Sequence, residues 1–107
     1  QKTSQATKHL ESLIDSVLQQ YPVAEETQTD IEKAKKSRNV QQFNQVISEN
    51  GNRQKFSAVL QTFRVMQQAG VHPTVYTFTS LLNACIRCSE FSYADTIFQC
   101  MKDSNIK

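Results

Sequence analysis

Apolar residues recur along most of the chain at the three- and four-residue spacing of amphipathic helices. Leu10, Leu13, Ile14, Val17, Leu18 and Tyr21 make the first stripe, and Pro22 stops it because proline cannot continue a helix. A second helix is predicted from about Glu25 to Arg38, acidic early and carrying Lys33, Lys35, Lys36 and Arg38 late, which suits the helix dipole. Its apolar content is thin, only Ile31 and Ala34. Four further stripes follow: Phe43, Val46 and Ile47; Phe56, Val59, Leu60, Phe63 and Met66; Phe78, Leu81, Leu82 and Cys85; Phe91, Ala94, Phe98 and Met101.

These last four stripes are two copies of one pattern. A shift of 35 places aligns Val40 with Val75, Phe43 with Phe78, Phe56 with Phe91, Ser57 with Ser92, Phe63 with Phe98 and Met66 with Met101. It also pairs Val46 with Leu81, Ile47 with Leu82 and Val71 with Ile106, so most matches are apolar positions. Each copy reads as two short helices, broken near Gly51 to Gln54 and near Arg87 to Glu90. Gly70, followed by Val71, His72 and Pro73, closes the first copy, because glycine accepts a left-handed conformation and proline forbids further helix. Thr74 is then placed to cap the next helix. The expected fold class is all-α, an α-solenoid of antiparallel helix-turn-helix repeats at 40–74 and 75–107. Residues 1–39 form an N-terminal helical cap or a degenerate repeat, since end units of solenoids are atypical and cover an exposed apolar face.

Composition narrows the classes. A chain of 107 residues is one domain at most, too small for two lobes with a cleft between them. Two glycines are too few for a phosphate-cradling loop or a hairpin-rich β fold. The net charge of +2 names no partner by itself, although residues 40–107 carry six basic against four acidic side chains while 1–39 are balanced at six each. Three cysteines, an odd number, fit a reducing compartment better than secretion. No apolar run approaches the roughly 20 residues of a membrane span, so no membrane partner is expected. The chain begins at Gln1 and stops at Lys107 without a helix-stop signal, and reads as a piece of a longer protein, so that any targeting segment would lie outside it.

Catalytic and metal chemistry find little footing. Cys85 and Cys88 form a C-x2-C, but a zinc site needs three or four ligands, and only Cys100 and two distant histidines remain. Cys85 falls on an apolar face, where cysteine acts as a small hydrophobe. His9 and His72 have no nucleophile or orienting acid at helical spacing, and Glu25 and Glu26 suit a helix start. No metal, no cofactor, no small-molecule substrate and no enzyme activity of this segment are expected. The cluster of Lys33, Lys35, Lys36 and Arg38 is read first as a solvated helix end.

Residues 40–74 and 75–107 resemble pentatricopeptide repeats. That pattern opens with an apolar residue, then an aromatic followed by Asn, Thr or Ser and a pair of aliphatics. It continues with a second helix ending in Phe-x-x-Met and closes on Gly-Val/Ile-x-Pro. Val40, Phe43, Asn44, Val46, Ile47, Phe63, Met66, Gly70, Val71 and Pro73 match it, as do Val75, Phe78, Thr79, Leu81, Leu82, Phe98, Met101 and Ile106. The 35-residue spacing separates the chain from the 34-residue tetratricopeptide arrays. Gln41 departs from the usual apolar or small residue, and Asn105 replaces the closing glycine.

The resemblance implies a right-handed superhelix whose first helices line a groove that reads single-stranded RNA, one base per repeat. It assigns base reading to Asn44, Thr74 and Thr79, stacking between bases to Gln41 and Tyr76, and a backbone contact to Arg87. Asn offers a donor and an acceptor and Thr one hydroxyl that serves as either, both short enough to sit against a base edge. The family pattern pairs Asn with pyrimidines and Thr with purines, so a pyrimidine followed by a purine is expected. It also implies the recognition part of a larger RNA-processing or RNA-stabilising protein of a mitochondrion or plastid. The competing expectation is a protein-interaction scaffold built on the same hairpins.

Overall fold

The computed structural model describes residues 5–104. Within them the chain forms α1 (Gln5–Gln20), α2 (Glu25–Ser37), α3 (Val40–Asn52), α4 (Phe56–Gln68), α5 (Val75–Arg87) and α6 (Phe91–Asp103), with no strand among the described residues. The all-α helical-repeat class follows directly. Ile106 and Asn105, used in the sequence comparison, lie outside the described residues.

Each boundary has a local cause. Asn39 caps α3 by accepting the Gln41 N–H at 2.8 Å. Thr74 and Thr77 cap α5 reciprocally: the Thr74 side chain accepts the Thr77 N–H at 3.4 Å and the Thr77 hydroxyl accepts the Thr74 N–H at 3.0 Å. Three helices end in one turn design. Gln54, Gly70 and Ser89 take left-handed backbone angles, with φ of 59°, 76° and 58°. The residue after each reaches back five positions, Lys55 to Asn50, Val71 to Met66 and Glu90 to Cys85, at 2.8 to 3.1 Å. Glycine announces only one of these turns in the sequence.

The hairpins α3–α4 and α5–α6 stack through their first helices. Asn44 meets Thr77 and Gly51 meets Ala84, both pairs 33 residues apart, so α3 and α5 run parallel. Gly51 was expected at the break between helices; it instead lies inside α3, buried, where a Cβ would stand 3.0 Å from the Ala84 Cβ. The missing side chain is what lets the two helices approach.

Behind this pair lie α4 and α6, and α1 packs across both on the side away from α3 and α5. Leu10 and Ile14 of α1 are fully buried in one apolar cluster with Ile47, Phe56, Leu60, Phe63, Phe78, Leu81 and Ile97. Within it Phe63 stacks edge-on against Phe78 at 5.7 Å and Phe56 against Tyr93 at 5.1 Å, tying the hairpins together. Each large side chain sealed there contributes roughly 1.5–3 kcal/mol. An ion pair between Asp15 and Arg64 fixes α1 further on α4. Tyr21, placed on the α1 stripe by spacing, falls past the helix end and is 64% exposed.

The α2 helix instead closes the other flank, against α3 and α4. Its two apolar residues, Ile31 and Ala34, are buried with Phe43, Val65 and Met66 in a second cluster. Among the described residues α1 and α2 do not pack on each other, so this segment lacks the hairpin of the two copies that follow.

The close approach of α3 and α5 makes a stability prediction. Gly51→Ile introduces the residue that the second copy carries at the matching position, Ile86, and forces a branched side chain into Ala84. Overpacking of this kind costs about 1–3 kcal/mol. The midpoint of thermal unfolding, followed by circular dichroism, should fall by roughly 5–15 °C. An unchanged midpoint would show that the helices part freely at this point.

Candidate nucleic-acid interface

Parallel stacking brings the first turns of α3 and α5 side by side, at the roughly 8–10 Å separation of packed helices. Gln41 is exposed on the first turn of α3. Tyr76 is 59% exposed on the first turn of α5, with Thr79 exposed one turn later and Thr74 exposed at the cap. These four side chains therefore occupy one edge of the stacked pair. Thr79 donates its hydroxyl to the Val75 carbonyl at 2.9 Å, which leaves the oxygen lone pairs as the group it presents outward.

Asn44 differs from the exposed groove residue the sequence suggested. It is only 5% exposed, and its Oδ1 accepts the Thr77 hydroxyl at 2.5 Å. Its position facing α5 rather than open solvent follows from the stacking itself. Sequence reasoning passed over Thr77, although the spacing of Thr74 and Thr77 is that of a capping box, with threonine in place of the usual Glu or Gln.

Arg87 is not brought to this edge. It is the last residue of α5, eleven positions beyond Tyr76, and so roughly 16 Å along the helix axis from it. Its carbonyl accepts the Gln54 Nε2 at 3.0 Å, a bond that joins the turn after α3 to the end of α5. Its exposed guanidinium lines an open cleft of about 760 Å³ with Lys55, Glu90, Tyr21 and Tyr93.

The remaining candidates take structural places. Arg38 ends α2 with a left-handed φ of 54°, and its Nη2 donates to the Ala69 carbonyl at 2.9 Å, satisfying the end of α4. Cys85 is wholly buried; burial first, then Cys88 and Glu90, push its thiol from 9.0 up to about 12. Burial likewise raises Cys88 and Cys100, so none of the three is a ready thiolate, and no group of three or more His, Cys, Asp or Glu gathers as a metal site among the described residues. No helix of the described residues is long and apolar enough to cross a membrane.

Two stacked helical hairpins with polar and aromatic side chains along the edge of their first helices define a helical-repeat protein. The model of the PPR repeat family, the pentatricopeptide repeats, matches residues 38–87, which span α3, α4 and α5. Over that span, just under half of its length, the chain is similar to the pentatricopeptide repeats. No curated protein and no solved structure gives a match.

The buried thiol carries a pH prediction. The folded state holds the Cys85 proton more tightly than the unfolded chain does, so this contribution to stability is complete below about pH 9 and is lost as pH rises towards 12. Thermal midpoints should fall between pH 8.5 and 10.5, and Cys85→Ala should flatten that fall while lowering the midpoint at pH 7 by leaving a cavity. An equally steep fall in the variant would remove Cys85 from the explanation.

Proposed function

We propose that this chain binds single-stranded RNA with base preference, as the recognition part of a larger RNA-processing or RNA-stabilising protein of a mitochondrion or plastid. Similarity to the repeat family over residues 38–87 supports the RNA reading. The observation that carries it is the exposure of Tyr76 and Thr79 on α5 beside Gln41 on the parallel α3. A flat ring, a lone-pair donor and an amide in a row are what unstacked bases require. In this reading Asn44, Thr74 and Thr79 read base edges, Gln41 and Tyr76 stack, and Arg87 meets phosphate at the far end of α5. Residues 40–74 and 75–107 act as two repeats, and 1–39 as a cap. The chemistry of the larger protein belongs to another part of it.

A protein-interaction scaffold is the second reading. Ile86, Phe91 and Phe98 are 61%, 62% and 50% exposed, an apolar face suited to another polypeptide. Salt separates the two, because phosphate contacts release counterions on binding and an apolar face does not.

Fluorescence-anisotropy titration with a pool of single-stranded ten-nucleotide RNAs at two salt concentrations tests the proposal. Affinity should fall steeply with salt, with a slope reduced by about one in Arg87→Ala. Tyr76→Ala should weaken binding by about fivefold or more, as expected from loss of a stacking partner, while its exposed position leaves the thermal midpoint nearly unchanged. Salt-independent binding, or none, would favour the scaffold.

A further inference from the structure

We propose that Thr77 is a positioning residue for base recognition: its hydroxyl locks the Asn44 amide with Oδ1 turned inward, so that Asn44 presents only its NH2 group to a base. The inference rests on the RNA reading given above.

The proton count fixes the direction. Thr77 has one hydroxyl proton and two lone pairs. Its oxygen accepts the Thr74 N–H at 3.0 Å, and the Asn44 Oδ1 lies 2.5 Å away, so the hydroxyl proton goes to Asn44. Thr77 is wholly buried, which leaves no water to compete for that proton. With its oxygen engaged, Asn44 keeps its two amide protons. The Nδ2 hydrogen-bonds to no described residue and is not sealed from solvent, so it is the one free polar atom of the side chain.

The same lock couples Asn44 to Thr74. Because the Thr77 proton is already committed, the 3.3 Å contact between the Thr74 and Thr77 hydroxyls has Thr74 as donor. One lone pair of Thr74 accepts the Thr77 N–H, so Thr74 then offers its one remaining lone pair outward while Asn44 offers protons. A base approaching this edge meets a donor from α3 and an acceptor from the α5 cap, held in fixed relation through a single buried hydroxyl. An unlocked Asn amide can turn either end outward and satisfies an acceptor or a donor equally; a locked one cannot. Thr77 therefore contributes to selectivity without touching RNA.

The test uses Thr77→Val, which keeps the shape and removes the hydroxyl, and Thr77→Ser, which keeps the hydroxyl. Dissociation constants for ten-nucleotide oligo(U), oligo(C), oligo(A) and oligo(G) are measured for each, and for Asn44→Ala with and without Thr77→Val. The wild type should prefer pyrimidine oligomers. Thr77→Val should shrink the ratio between best and worst oligomer by about tenfold, the scale of a lost hydrogen bond, and Thr77→Ser should restore most of it. In the Asn44→Ala background Thr77→Val should change the ratio no further. Thermal midpoints monitored in parallel establish that each variant is folded.

A purely structural role would lower the midpoint of Thr77→Val and leave the ratio between oligomers intact, which overturns the proposal. A shift in ratio that persists without Asn44 overturns it as well. Failure of the wild type to bind any of the four oligomers sinks the RNA reading and this inference together, whereas binding with an unmoved ratio sinks this inference alone.

Discussion

Everything on the candidate edge depends on how closely α3 and α5 can approach. Two helices meet at short range only where one presents almost nothing, and Gly51 against the Ala84 methyl is that place. Once the helices are held parallel there, the register along them is set, and one and a half to two turns earlier Asn44 must fall opposite Thr77. That contact buries a polar amide, which is tolerable only because a hydroxyl answers it. The packing constraint at one end thus produces the hydrogen-bonded arrangement at the other. The exposed residues Gln41, Tyr76 and Thr79 inherit their alignment from the same register.

The apolar core shows why this pair needs support from behind. Phe63 on α4 reaches Phe78 on α5, and Phe56 on α4 reaches Tyr93 on α6, so the second helix of the first hairpin is joined by aromatic contacts to both helices of the second. The backbones of α4 and α6 do not themselves come close, and α1 packs across both with Leu10 and Ile14. A 35-residue repeat by itself leaves that outer face apolar. Here a helix from outside the repeated part covers it, and α2 covers the flank with little more than Ile31 and Ala34.

Much of this was legible in the sequence, for identifiable reasons. The stripes at 43–47, 56–66 and 78–85 are strong because each of those helices buries that face, whereas the 91–101 stripe marks a helix but not its core: Phe91 and Phe98 are largely exposed, and α6 buries Ile97 and Cys100 instead. Gly70 marks its turn because a left-handed residue is cheapest as glycine, whereas Gln54 and Ser89 adopt the same geometry without advertising it. Gly51 shows the opposite failure: a glycine in a short helix was read as a break, and its use is close packing against a helix 33 residues away, which no local pattern encodes. Of the candidate interface, Gln41, Thr74, Tyr76 and Thr79 were indicated by the family resemblance and not by spacing alone, and all four are exposed at or near the starts of α3 and α5. The burial of Asn44 was not legible, because it depends on the side chain that the next repeat places opposite it. Arg87 stands apart because eleven helical residues carry it to the other end of α5.

The two copies also differ where their likeness would matter most. Ile86 occupies the position in α5 that Gly51 occupies in α3, and it is 61% exposed. A helix laid on that face of α5 in the register that α5 takes on α3 would meet a β-branched side chain where α5 meets only a hydrogen. It would have to stand farther off or turn. Asn50, buried and bonded to the Val46 carbonyl in the first copy, is likewise replaced by the buried thiol of Cys85 in the second. The shared 35-residue period therefore fixes the order of the helices, while the spacing between successive first helices is decided pair by pair, by the few side chains that stand between them.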